Sequence, residues 1–197
     1  MRDIVLASRN EKKLAELQEL VAPLGLRLRC VSEFTSAPAA EPAPTFVENA
    51  LLKARHAARA SGLAALADDS GIEVDALDGA PGVHSARYAG ADATDADNNA
   101  RLLHDLREVA DPARGARYVC VLALVRRPND PIPVLAEGQW RGRILRAPRG
   151  HNGFGYDPLF WVAAHGQSAA ELEPALKNRL SHRARAAAAL LARLREG

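Results

Sequence analysis

The stretch Ala64-Ala65-Leu66-Ala67-Asp68-Asp69-Ser70-Gly71 carries an apolar run directly into two adjacent carboxylates and a Ser-Gly pair. An ionised carboxylate taken out of water must be neutralised by a cation, a metal or several donors. If residues 64–67 form an inner strand, Asp68 and Asp69 lie at its end, at the sheet edge where α/β proteins collect ligands. Hard oxygen ligands side by side there favour Mg²⁺ over zinc. The same letters also suit a solvated turn, because Asp-Ser-Gly is ordinary turn chemistry.

Working outward from the acids, strand and helix signals alternate. Residues 4–7 read as a first strand, followed by a helix over residues 11–24 with Leu14, Leu17, Leu20, Val21 and Leu24 on one face. Residues 26–31 alternate as a second strand, and residues 36–44 form an Ala- and Pro-rich loop. Thr45-Phe46-Val47-Glu48 is a capping box that opens a helix through Ala60, stopped by Ser61-Gly62. Beyond the acids, residues 72–77 are expected to pair as a hairpin arm and residues 79–90 to loop. Thr94 or Asp95 then caps a helix bearing Leu102, Leu103, Leu106 and Val109. The continuous apolar run from Tyr118 to Val125 reads as a buried central strand, and residues 134–140 and 142–146 as two more. A glycine-rich loop, His151-Asn152-Gly153-Phe154-Gly155-Tyr156-Asp157-Pro158, leads into a strand at residues 159–162. Ser168-Ala169-Ala170-Glu171 reads as a second capping box, and Ser181 opens a C-terminal helix with Leu190, Leu191 and Leu194 on its apolar side. No repeat and no long linker interrupts this order, so the expected fold is α/β, a mixed sheet flanked by helices, in a single domain over residues 1–197.

Composition narrows the function. A chain of 197 residues buries a sizeable core without staples. Cys30 and Cys120 are far apart and belong to no Cys-x-x-Cys pattern, so a reduced, cytoplasmic setting without a thiolate metal site is expected. The N-terminal apolar run is too short for a signal sequence, and no run reaches membrane-spanning length, so no membrane association is expected. A formal net charge of +2 is too small to imply nucleic-acid binding and suits a small anionic substrate better.

Three further groups of residues look chemical. In Ser8-Arg9-Asn10-Glu11-Lys12-Lys13 a strand ends and a helix begins, so unpaired N–H groups and a lysine converge in a way that suits phosphate. A plain Ser or Asn N-cap with solvated lysines is the competing account. Phe154 and Tyr156, set among Gly153 and Gly155 and followed by Asp157, can offer a flat face to a base, or can simply anchor a turn in the core. Lys177 and Ser181-His182-Arg183 gather cations at a helix start, where arginine opposes the dipole unless an anion or a carbonyl acceptor faces it; a solvated basic entry is the alternative.

Taken together, these segments resemble the inosine triphosphate pyrophosphatase family. The resemblance is carried by Ser8-x-Asn10-x-x-Lys13, Thr45-Phe46-x-Glu48-Asn49-Ala50-x-x-Lys53-Ala54, Asp68-Asp69-Ser70-Gly71 and Pro81-Gly82 with Ser85-Ala86-Arg87-Tyr88. Gly153-Phe154-Gly155-Tyr156-Asp157-Pro158 and Lys177 with Ser181-His182-Arg183 complete it. It implies a homodimeric, Mg²⁺-dependent enzyme of two elongated lobes, with the nucleotide in the cleft between them, that cleaves ITP, dITP and XTP to the monophosphate and pyrophosphate. By position it makes Ser8, Arg9, Asn10, Glu11, Lys12 and Lys13 the triphosphate loop and Lys53 a phosphate contact. It makes Asp69 the general base and a metal ligand, with Glu41 a second ligand and Asp68 a further candidate. Ser70 becomes a substrate contact, and Phe154, Gly155, Tyr156, Asp157, Lys177, His182 and Arg183 the nucleoside site. The chain departs from the family at Arg9, where many members have glycine, and at Pro42-Ala43-Pro44 after Glu41, where glycine is common. Two other functions fit parts of the pattern: a related house-cleaning pyrophosphatase for modified pyrimidine or methylated nucleotides, and a non-catalytic nucleotide- or RNA-binding module. The aromatic loop and His182-Arg183 argue against the first, and adjacent carboxylates near phosphates argue against the second.

Overall fold

In the computed structural model, residues 2–196 are described; Met1 and Gly197, the ends of the expected domain, and the side chains of Arg2, Leu24 and Glu196 lie outside the described residues. The chain runs β1 (Arg2–Leu6), α1 (Glu11–Val21), β2 (Leu26–Cys30), α2 (Phe46–Ser61), β3 (Ala65–Val74) and α3 (Asp95–Asp105). It continues through β4 (Gly115–Val125), β5 (Val134–Ile144), β6 (Phe160–Val162), β7 (Gln167–Ser168), α4 (Pro174–Leu180) and α5 (His182–Glu196). The strands form one seven-stranded sheet in the order β2-β1-β3-β4-β5-β6-β7. It is mixed: β1 is parallel to β2 and β3, while β6 is antiparallel to β5 and β7. Among the described residues, no helix is long and apolar enough to cross a membrane.

Local chemistry accounts for the helix ends. Asn10 caps α1, its Oδ1 accepting the N–H groups of Lys12 and Lys13 at 3.0 and 3.1 Å. Thr45 caps α2 by accepting the Glu48 N–H, but the Glu48 carboxylate accepts from the Thr45 hydroxyl at 2.6 Å instead of reaching back to the backbone. Only half of the expected capping box is therefore made. Gly62 closes α2 at φ +70°, a left-handed conformation that glycine adopts without a Cβ penalty.

Three expected boundaries are corrected. The strand carrying Asp68 and Asp69 does not end there. It continues unbroken to Val74, so residues 72–74 extend the same strand and residues 75–77 form a 3₁₀ turn in place of a hairpin arm. Residues 134–144 form one strand, not two, because Gly142 lets the chain run on beneath β6. A Cβ at Gly142 would sit 2.6 Å from both the Phe160 ring and the Trp161 carbonyl oxygen. Finally, no helix starts at Ser168. The Glu171 carboxylate accepts the Ser168 N–H at 2.7 Å, but the Ser168 hydroxyl donates to the Arg149 carbonyl, so the pair closes a turn and α4 begins at Pro174.

The chain divides into two units. The first comprises the chain up to Asp69, Cys120–Gly138 and the chain from His182 onward; the second comprises Ser70–Val119 and Gln139–Ser181. In the first, the core packs Ile4, Leu6, Leu17, Val21 and Leu66 with Leu122 and Leu190. This joins the inner faces of α1 and α5 to the strands. In the second, Tyr118, Trp140 and Phe160 form an aromatic cluster, the Tyr118 and Phe160 ring centres 4.6 Å apart, with Ile72, Leu102, Leu106 and Leu159 around it.

The start of α5 is seated by a glycine. A Cβ on Gly138 in β5 would collide with the His182 carbonyl oxygen and with the backbone of Arg185 and Ala186. Neither partner is the movable end of a side chain. Gly138→Ala is therefore expected to cost about 1–3 kcal/mol. The measurement is urea unfolding, with a lowered midpoint at an unchanged m-value; an unchanged midpoint would show that α5 is not seated against this glycine.

Candidate active site

The parallel register of the first unit determines which side chains meet. Leu6 pairs with Leu66, so β3 runs two residues past the end of β1 to Asp68 while the chain after Leu6 turns through Ser8 into α1. Lys13, in the first turns of α1, thereby reaches Asp68, its Nζ 2.5 Å from Oδ1. From the first turn of α5, Arg183 donates its Nε to Asp68 Oδ2 at 2.8 Å and its Nη1 to Glu16 Oε2 at 2.5 Å. The Cys120 thiol lies 3.3 Å from the same Asp68 oxygen. Asp68 and Arg183 are 1 % and 2 % exposed, so this is a dry ion-pair network. Burial alone would raise the Asp68 carboxyl, but Arg183 and Lys13 outweigh it and hold its pKa well below the usual carboxylate range. Burial and the Asp68 charge push the Cys120 thiol well up, keeping it protonated as a donor.

Asp69 belongs to a different set of contacts. Successive residues of a strand point to opposite faces, so the two neighbouring acids diverge. Asp69 Oδ1 meets Lys53 Nζ at 2.5 Å, and the same ammonium lies 3.3 Å from Glu41 Oε2. Burial raises the Asp69 carboxyl above its ordinary value against the pull of Lys53. Glu41 reaches this point because Asn49, 1 % exposed on α2, pins the loop behind it. Its side chain accepts the Ala43 N–H at 3.0 Å and donates to the Ala43 carbonyl at 3.1 Å. The Asn49 side chain thus holds the Pro42-Ala43-Pro44 segment in place.

Side by side in the sequence, Asp68 and Asp69 suggest a divalent cation, with Asp68 a further candidate ligand beside Asp69 and Glu41. Both oxygens of Asp68 are occupied by Lys13, Arg183 and Cys120, which leaves it an anchor and not a metal ligand. Asp69 and Glu41 are the pair that converges, and they converge on a cation already, the Lys53 ammonium. Among the described residues no three His, Cys, Asp or Glu side chains cluster. Two carboxylates with phosphate oxygens completing the shell is how Mg²⁺ is commonly bound, so the donor set fits that ion.

In the turn between β1 and α1, Ser8 Oγ accepts the Asn10 N–H at 3.1 Å, and Arg9 donates a guanidinium hydrogen to the Ser36 carbonyl. Asp78 is the one non-glycine residue at positive φ among the described residues, so Arg9 occupies its position without a left-handed turn. Glu11 and Lys12 are exposed on the first turn of α1.

In the second unit, Gly153 and Gly155 at φ +77° and +62° bend the loop around Phe154. Asp157, 3 % exposed, holds the loop from below. Its Oδ2 accepts the Phe154 N–H at 2.9 Å and pairs with Lys177 Nζ at 2.6 Å, and its Oδ1 accepts the Tyr118 hydroxyl at 3.2 Å. Lys177 also lies 5.1 Å from the centre of the Phe154 ring. Of the two roles open to the aromatics, Tyr156 takes the core-anchoring one. It is buried, and its hydroxyl donates to the Ser85 carbonyl at 2.8 Å, so it anchors the loop in the core. Phe154 remains half-buried, and Ser70, in β3, is half-buried as well.

Sequence reasoning passed over Glu16, Asn49, Cys120 and Tyr118 as site residues. Glu16 had a legible signal, since three residues beyond Lys13 it shares a helix face with it. Cys120 and Tyr118 had none, because only strand pairing brings them to their partners.

The Ham1 family model matches residues 4–193. A protein of Ralstonia nicotianae named dITP/XTP pyrophosphatase is 59% identical over 198 residues, 99% of this chain and 98% of that protein. One of Pseudomonas aeruginosa with the same name is 57% identical over 194 residues, 98% of each. The solved structure of a HAM1 protein from Coxiella burnetii has a TM-score of 0.92 and 50% identity and covers 100% of both chains. The family recognised from six ordered motifs is the family that these matches identify, and the α/β sheet is the one its structures share. This chain belongs to the Ham1 family.

Proposed function

We propose that this protein hydrolyses the non-standard purine nucleoside triphosphates ITP, dITP and XTP to the monophosphate and pyrophosphate, and so cleanses the nucleotide pool. The observation that carries this reading is the division of two adjacent acids. Asp68 is neutralised by Lys13 and Arg183, and Asp69, its pKa raised by burial, pairs with Lys53, in a chain 57–59% identical to proteins named for that activity. The family match spans both units, and we take them as one pyrophosphatase domain.

In this mechanism Lys13 and Lys53 compensate charge on the phosphoryl oxygens, with the α1 N-terminus adding N–H donors and its partial positive charge. Asp69 Oδ1 is held by Lys53, so Oδ2 accepts the proton of the attacking water as a P–O bond forms and the bond to the leaving group breaks. A carboxyl raised by burial is better matched to taking that proton near neutral pH than an ordinary surface aspartate. Asp69 and Glu41 are the residues that would hold Mg²⁺, which supplies further charge neutralisation on the triphosphate when bound. Phe154 stacks on the purine and contributes affinity without much choice, while Lys177 and His182 provide donors for the nucleoside and Arg183, through Asp68 and Glu16, fixes the start of α5 that carries His182. Hypoxanthine and xanthine carry a carbonyl acceptor at position 6; adenine carries an amino group, which sets donor against donor. We further propose a homodimer, as the resemblance implies, and a cytoplasmic setting, which two free cysteines suit.

The division of the two acids is testable with one pair of variants. Asp69→Asn is expected to fold with a wild-type urea midpoint but to lose about 10²- to 10⁴-fold in turnover, measured as Mg²⁺-dependent pyrophosphate release. Asp68→Asn removes the anion shared by the buried Arg183 and the half-buried Lys13 and is expected to cost about 3–5 kcal/mol of stability at neutral pH. Because Asp68 has a depressed pKa in the folded state, its contribution is complete above the unfolded value near about 3.9 and is lost as pH falls through the folded value. The stability gap between wild type and Asp68→Asn is therefore expected to shrink below about pH 4. A wild-type turnover rate for Asp69→Asn would end this reading.

Selectivity supplies a second measurement. ITP and XTP are expected to exceed ATP and GTP in kcat/KM by at least about 10²-fold. Arg183→Ala is expected to narrow that ratio. The ratio is taken within one protein preparation, so it is insensitive to the stability that Arg183 also contributes through Asp68 and Glu16. Equal hydrolysis of all four nucleotides by the wild type would refute this account of the base.

A further inference from the structure

The direction in which Phe154 points depends on the residue after it. Gly155 sits at φ +62°, and glycine has the widest backbone freedom of any residue, so some contact must hold it. Packing does not supply that contact on the side facing α3. A cavity of about 480 Å³ lies there, lined by Asn99, Leu103, His151, Phe154 and Leu159 among others. Two side chains on the first turns of α3 span the gap. Asp95 Oδ2 accepts the Gly155 N–H at 2.7 Å, and Asn99 Nδ2 donates to the Gly155 carbonyl at 2.8 Å. The second Asn99 amide hydrogen goes to the Asp95 carbonyl at 2.7 Å, so both donors are spent on backbone oxygens. That arrangement orients the amide, since turning it over would set its oxygen against two carbonyls. It also leaves Asn99 Oδ1 buried with no hydrogen-bond partner, a cost accepted to keep Nδ2 on the loop.

We propose that Asp95 and Asn99 are positioning residues for the nucleoside site. They grip both backbone groups of Gly155 and thereby aim the Phe154 ring. The helix end that carries them is itself fixed by a complete capping box, in which Thr94 and Asp97 exchange bonds at 2.9 and 3.2 Å. Asp157 fixes the other side of Phe154 through the Phe154 N–H, so the ring lies between two grips, one buried and one at the rim of a cavity. The proposal rests on the reading that Phe154 contacts the nucleoside.

Asn99→Ala tests it, since alanine is the better helix former and α3 is expected to stay folded. Two readouts are taken. Amide hydrogen exchange over residues 153–157 is expected to speed up without ligand, and KM for ITP to rise about tenfold with kcat changed less than about twofold. In a Phe154→Ala background the same substitution is expected to add nothing further to KM, which a merely structural role would not predict. Unchanged exchange in Asn99→Ala overturns the grip itself. Faster exchange with an unchanged KM, in a protein whose Phe154→Ala variant does raise KM, overturns its role in substrate binding. An unchanged KM in Phe154→Ala alone overturns the nucleoside reading of the loop, and the claim on substrate falls with it.

Discussion

A buried carboxylate that cannot reach water has to find its cations inside the protein, and Asp68 is where that requirement shapes the first unit. Its two oxygens draw Lys13 from α1 and Arg183 from α5 onto the same strand. Helices that begin and end the chain are thereby tied to β3 by charge as well as by apolar packing. The cost of placing these ions in a dry environment is recovered only because each charge is met at short range and Glu16 balances the second side of Arg183. With Asp68 so committed, Lys13 is held at the start of α1, beside the N–H groups that its own helix leaves unpaired.

The neighbouring acid is available for chemistry because Asp68 is not. Alternation along a strand sends Asp69 to the other face, where a single lysine serves both it and Glu41. An anchored carboxylate held well below its ordinary pKa and a raised carboxylate thus stand one residue apart. The environments of the two neighbouring acids push their pKa values apart. The second unit uses the same economy at Asp157, which neutralises Lys177 while fixing the backbone of Phe154.

Glycines supply the clearances that these contacts need. Gly138 admits the backbone of α5, and Gly142 admits Phe160 and the chain of β6. A Cβ at Gly153 would collide with the Asp157 carboxylate, so the close approach of carboxylate to loop exists only because that position has no side chain.

Much of this protein was legible from its residues. Apolar periodicity located α1 and α3, a continuous apolar run located the buried β4, and Thr45 and Gly62 marked the ends of α2, because these signals are local and rest on backbone groups that need partners. The ordered motifs were sufficient to place the chain in the Ham1 family. What the residues could not reveal is every property that depends on strand continuation and pairing. Asp68-Asp69 reads as a strand end or as a solvated turn, and only the unbroken β3 decides that the acids lie mid-strand and face opposite ways. The Ser168–Glu171 spacing matches a helix start, yet the Arg149 carbonyl claims the serine hydroxyl. Tyr156 and Phe154 are equivalent aromatics in a glycine-rich string until the Ser85 carbonyl, distant in sequence, draws one of them into the core. Local chemistry is written in the sequence, whereas the partner of a buried charge or hydroxyl is chosen by whichever distant segment the sheet brings within about 3 Å of it.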